Sequence, residues 1–159
     1  MYTKTETTSG DNDAAVRRDA MAIYAEAAVE ELKSGLEIIG EWVHTDVRKA
    51  ETGLVMIQGR IGGDGAPFNL GEATVTRAAV RVASGEIGFS YLLGRDLEKA
   101  RLAALCDALW QTQIARQAVE THVLAPIRAR LFREREETAA RTAATRVEFF
   151  TLVRGEDTQ

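Results

Sequence analysis

Between Ala14 and about Lys33, Val16, Ala20, Ile23 and Ala27 recur at helical spacing in a stretch rich in Ala and Glu, which predicts a helix. Val29, Leu32, Leu36 and Ile39 carry the apolar stripe past Gly35. Either a second short helix begins near Ala28 or one helix bends there, and Gly40 ends it. The period then shortens to two. Trp42–Ala50 predicts a polar edge strand, and Leu54–Ile61 one that is apolar on both faces before Gln58 and Arg60 turn a face polar. After a glycine-rich loop, Ala73–Val82 sets Thr74, Thr76, Ala78, Val80 and Val82 on one side. Val75, Arg77, Ala79 and Arg81 take the other.

Ser84-Gly85 predicts a tight turn into a further strand at Ile87–Gly94, paired antiparallel with the one before it. Asp96 is placed to cap the next helix, whose apolar stripe runs through Leu102, Leu105, Leu109 and Thr112, and Pro126 begins or kinks a later one. Arg128–Arg141 offers Arg130/Glu134, Arg133/Glu137 and Glu137/Arg141 pairs but few core residues, so it reads as a solvated helical arm. Val147–Val153 reads as a strand with Val147, Phe149 and Val153 on one face and Phe150 and Leu152 on the other. Such a strand is either covered within its own sheet or paired with another chain. The expected fold is α+β: a small antiparallel sheet with N-terminal helices, a long helix or helix pair after the hairpin, and a C-terminal strand.

Composition narrows the function classes. The 159 residues suit one domain, expected over 14–157 after a disordered leader at Met1–Asp13. A net charge of -4 with no long basic face argues against nucleic acid. The single Cys106, the absence of an apolar leader and the absence of a membrane-length run suggest a cytoplasmic protein.

The candidate chemistry centres on Gly59–Gly71. Gly62, Gly63 and Gly65 are spaced to turn backbone N–H groups toward an anion, with Arg60 and Arg77 to neutralise it. Against an autonomous phosphate or nucleotide site, no Lys follows and the next element is a strand rather than a helix. The loop is nevertheless long for a hairpin, and it exposes Phe68 and Leu70, which favours a partner surface shared with Phe149, Phe150 and Leu152. His44, His122 and Cys106 show no metal-ligand spacing, and no nucleophile has a base beside it. No catalytic residue, metal site or cofactor is expected in this chain. Glu72, beside the loop and near Arg77, reads as an ion-pair partner.

The run G-L-V-M-I-Q-G-R-I-G-G-D-G-A-P-F-N-L-G-E-A-T-V-T-R-A-A-V-R, the later Y-L-L-G-R-D and the closing A-A-T-R-V-E-F-F-T-L-V-R-G-E occur in that order. Together they resemble the PhnG family, the G subunits of the bacterial carbon-phosphorus lyase core complex, over roughly Ala14–Asp157. The resemblance implies an α+β subunit that works with the I, H and J subunits and, functionally, with the L ATP-binding protein. With I, H and L it implies displacement of adenine from Mg-ATP by methylphosphonate, giving α-D-ribose 1-methylphosphonate 5-triphosphate. The nucleosidase-type chemistry is associated with the I subunit, and the iron-sulfur cluster and S-adenosylmethionine belong to the J subunit. Gln58 and Lys49-Ala50-Glu51 depart from the forms R-G-R and Arg-x-Pro-Glu common in relatives, and no catalytic side chain carries over.

Overall fold

The computed structural model describes the backbone of residues 7–62 and 64–145, and the chain divides into two compact units, residues 1–128 and 129–159. The fold is α+β, as the patterns predict. Helices α1 (Thr7–Glu26) and α2 (Val29–Ile39) precede strands β1 (His44–Arg60), β2 (Pro67–Val82) and β3 (Ile87–Leu93). Helix α3 (Leu97–Gln111) follows, then α4 (Arg116–Val119), a π-helical turn at Glu120–Leu124 and α5 (Ala125–Ala144). The strands form one antiparallel sheet in the order β1-β2-β3. The strand expected at Val147–Val153 lies outside the described residues.

Three boundaries differ from expectation. Helix α1 begins at Thr7, inside the stretch expected to be a disordered leader, and Ala27–Ala28 separates it from α2. The two strands expected at Trp42–Ala50 and Leu54–Ile61 are one continuous strand, because Thr52-Gly53 pairs with Thr76 and Val75 instead of turning. Irregular pairing between Asp46 and Glu51 absorbs the mismatch. The long loop shrinks as well: Pro67–Leu70 is extended and belongs to β2, so Phe68 and Leu70 are strand residues.

The core forms where α3 lies on the even-numbered face of β2 and β3. Thr76, Ala78, Val80, Val82, Ser90 and Leu92 are buried there, and Gly88 is buried among them. Helix α3 meets this face through small residues, with Ala100, Ala103, Ala104 and Ala108 all buried. The approach is so close that a methyl group on Gly88 would run into the Ala104 carbonyl and the Ala108 amide. Ser90 Oγ donates to the Ala100 carbonyl at 2.7 Å, and Asp96 caps the helix by accepting from the Lys99 amide at 2.8 Å. The expected Leu102–Leu105–Leu109 stripe understates the result, since every residue from Ala103 to Trp110 is buried.

The π-helical turn has a local cause. Pro126 brings no N–H to the carbonyl four residues back, so the turn carrying His122 widens instead of continuing as α-helix. The His122 carbonyl and Val123 then face Gly35 of α2, where a methyl group would stand 2.8 Å from that oxygen and 2.6 Å from the Val123 side chain. Gly35 is therefore the point at which α2 seats against the turn. In the second unit, Arg130 donates to both oxygens of Glu134 at 2.9 Å on the expected solvated stretch of α5.

Candidate partner-binding surface

The register of the sheet leaves half of β1 and β2 without support. β3 pairs only with Val75–Arg81, so Pro67–Thr74 has β1 as its sole strand neighbour. These eight residues project the β1–β2 ribbon by about 25 Å. On one face stand Leu54 and Met56, 63% and 55% exposed, followed by Gln58, whose amide donates to Asn69 Oδ1 at 3.4 Å. On the other face Val55 and Ile57 alternate with them, and Gly59 turns toward Phe68 and Leu70, which is 65% exposed. Ile61, at the tip, is 76% exposed.

The sequence-predicted phosphate group is dispersed along this ribbon. Arg60 pairs with Pro67 at the tip while Arg77 pairs with Glu51 near the root, ten residues along β2, which separates the two arginines by about 30 Å. Gly65 commits its amide to the Ile61 carbonyl at 3.1 Å, and Gly62 adopts a left-handed turn conformation with φ 67°. Both serve the chain reversal. Gly63 lies outside the described residues, as do Phe149, Phe150 and Leu152. Arg77 pairs with Glu51 rather than with the expected Glu72: Arg77 Nε and Arg48 Nη1 reach the same Glu51 oxygen, at 2.8 and 3.0 Å. The hydrogen bond from Arg77, then that from Arg48, holds the Glu51 carboxyl below the usual carboxylate range.

Odd-numbered side chains of β2 and β3 form the face turned away from α3. Phe89, Tyr91 and Leu93 are exposed there beside Arg77, and Met21 of α1 joins Arg48, Arg77, Phe89 and Tyr91 around a cavity of about 260 Å³. Sequence reasoning missed what holds α1 here. Asp107, fully buried, accepts from Arg17 Nε and Nη2 at 2.9 and 2.6 Å and from the Phe89 amide at 2.8 Å. The hydrogen bond to Asp107 raises the Arg17 pKa. The signal was present as a lone acid within the apolar run A-L-C-D-A-L-W.

His44 opens β1 as a positioning residue. Its Nδ1 lies 2.7 Å from the Trp42 carbonyl and must carry the proton, leaving Nε2 to accept from Arg101 Nη2 at 3.0 Å. Arg101 also donates to Asp46 at 3.2 Å, so α3 grips the start of the strand along the wall of an 810 Å³ groove that includes Trp42, Leu36 and Leu102. Burial pushes the Cys106 thiol and the Tyr24 hydroxyl far up, so neither is an available nucleophile at neutral pH. Among the described residues no three His, Cys, Asp or Glu side chains gather as a metal site. None of the described helices is long and apolar enough to cross a membrane. What the arrangement offers is apolar contact on a projecting ribbon.

The family model described as phosphonate metabolism protein PhnG matches residues 15–155. The chain is 50% identical over 151 residues to the alpha-D-ribose 1-methylphosphonate 5-triphosphate synthase subunit PhnG of Rhizobium meliloti (strain 1021), covering 94% of this chain and 96% of that protein.

Proposed function

Because the chain belongs to the PhnG family of phosphonate metabolism proteins, we propose that it is an accessory subunit of an α-D-ribose 1-methylphosphonate 5-triphosphate synthase. The observation that carries this reading is the 50% identity to a synthase subunit across nearly the whole of both chains. In it, the chain supplies no catalytic group and assembles with the I and H subunits, the L protein acting with them. The complex then transfers the ribose triphosphate of Mg-ATP to methylphosphonate and releases adenine. Subunit J, with its iron-sulfur cluster and S-adenosylmethionine, acts afterwards on the carbon-phosphorus bond. Use of ATP suits the cytoplasm.

The ribbon supports this reading, since exposed Ile57, Phe68 and Leu70 are what a partner would cover, with Phe149, Phe150 and Leu152 as further contacts. Any share in triphosphate binding falls to Arg60 and Arg77 at separate places in the assembly. The test is co-expression with the I, H and L proteins, followed by measurement of adenine release from ATP and methylphosphonate. Release is expected only with this chain present. Undiminished release without it, or a chain that never co-purifies with the I subunit, overturns the proposal.

A further inference from the structure

We propose that the sheet face turned away from α3, beside α1, holds the phosphates of a nucleoside triphosphate among Arg18, Arg48 and Arg77, with its base against Phe89 and Tyr91. This rests on the subunit reading above and gives the chain a share of the nucleotide. Two cavities of about 570 and 260 Å³ have Met21 and Phe89 in common as lining. Arg17 and Arg18 stand in the wall of the larger, and Arg48, Arg77 and Tyr91 in that of the smaller. Neither cavity has an acidic side chain in its lining, although the chain as a whole carries a net charge of -4. Cations are thus concentrated around open space on the scale of ligand pockets, roughly 300–1,000 Å³.

The smaller cavity shows what its arginines can hold. Arg77 Nε and Arg48 Nη1 converge on one oxygen of Glu51, so both guanidiniums reach a single oxyanion. That leaves both Nη groups of Arg77, and Nε and Nη2 of Arg48, without a protein acceptor among the described residues. A guanidinium edge with parallel N–H groups takes phosphate oxygens in pairs. Arg18 is exposed and pairs with no acid among the described residues, whereas Arg17 is committed to Asp107 and serves as wall. Three arginines with one carboxylate among them leave a positive excess. Arg18 lies on one side of Met21 and Phe89, and Arg48 and Arg77 on the other, so one ligand meets them all only if its charges are strung along a chain, as in a triphosphate. Phe89 and Tyr91, 49% and 53% exposed, offer ring faces on which a base stacks.

The full chain, without partners, is titrated calorimetrically with Mg-ATP, inorganic tripolyphosphate and adenosine, and every variant is checked for an unchanged Tm. Mg-ATP is expected to bind more tightly than either fragment. Arg48→Met with Arg77→Met is expected to weaken Mg-ATP and tripolyphosphate at least tenfold, and Arg18→Met, on a different element, at least threefold. Tyr91→Ser is expected to weaken Mg-ATP at least threefold and to leave tripolyphosphate unchanged. Arg133→Met removes a positive charge from α5 and is expected to change neither. No heat with millimolar Mg-ATP overturns the site, and equal weakening by Arg133→Met overturns it by reducing the binding to net charge. Adenine release by the assembled complex that still requires this chain leaves the subunit reading standing in either case. Release that proceeds without the chain overturns that reading whatever the titration shows.

Discussion

The two ends of β2 obey opposite rules. Its C-terminal half is pressed so tightly on α3 that Gly88, its neighbour on β3, has no room for a methyl group, and alanines replace leucines at the contact. Its N-terminal half displays Phe68 and Leu70 to solvent on a strand with a single neighbour. One strand thus passes from a region whose stability is internal to one whose apolar surface is unspent within the chain. The comparison teaches that exposed hydrophobics here follow strand register rather than a lack of core.

Substitutions that break the comparison differ in size. Gly88→Ala is expected to have the largest effect, about 4 kcal/mol, because the obstructing atoms are backbone and cannot rotate away. Urea denaturation measures it, and a loss under about 1 kcal/mol would mean that α3 shifts freely. Arg17→Met leaves the buried Asp107 carboxylate with the Phe89 amide as its remaining described donor, at a cost of about 2 kcal/mol, less than a fully buried pair because Arg17 is 29% exposed.

A pH series tests the same interior. The folded thiol of Cys106 holds its proton well above the ordinary range, whereas in the unfolded chain it ionises near about pH 8.5. Its contribution is intact below that pH and declines as pH rises, with a slope of about 1.4 kcal/mol per pH unit. Cys106→Ala removes that slope between about pH 8.5 and 10, before tyrosine and lysine titrate. At the small end, the double variant Leu54→Ser with Met56→Ser, at positions 63% and 55% exposed on the ribbon, changes unfolding free energy by no more than about 1 kcal/mol. A larger loss would make the ribbon part of the folded core and erase the contrast.

Much of the body was legible. Period-two alternation marked Ala73–Val82 as strand, and Thr76, Ala78, Val80 and Val82 are buried on one face as expected, although Val75 and Ala79 beside the arginines are buried as well; Asp96 marked the helix start because a short acid before an apolar run caps amide groups. The ribbon was harder to read. Thr52-Gly53 and the glycines after Gly59 carry turn chemistry, yet only the last group turns, since pairing across β2 overrides local preference at Gly53. The proposed phosphate residues looked adjacent because Arg60 and Arg77 flank one loop in sequence, whereas antiparallel pairing sends them to opposite ends. Asp107 was overlooked because its partner Arg17 is ninety residues away, beyond any local pattern.

The early stop of β3 also bears on how the chain behaves in isolation. Beyond Val75 the outer edge of β2 has no strand beside it among the described residues, so its backbone N–H and C=O groups meet water next to exposed Phe68 and Leu70. Such an edge is a template for strand-to-strand association, which makes the ribbon the place where concentrated, unassembled chain would associate with itself.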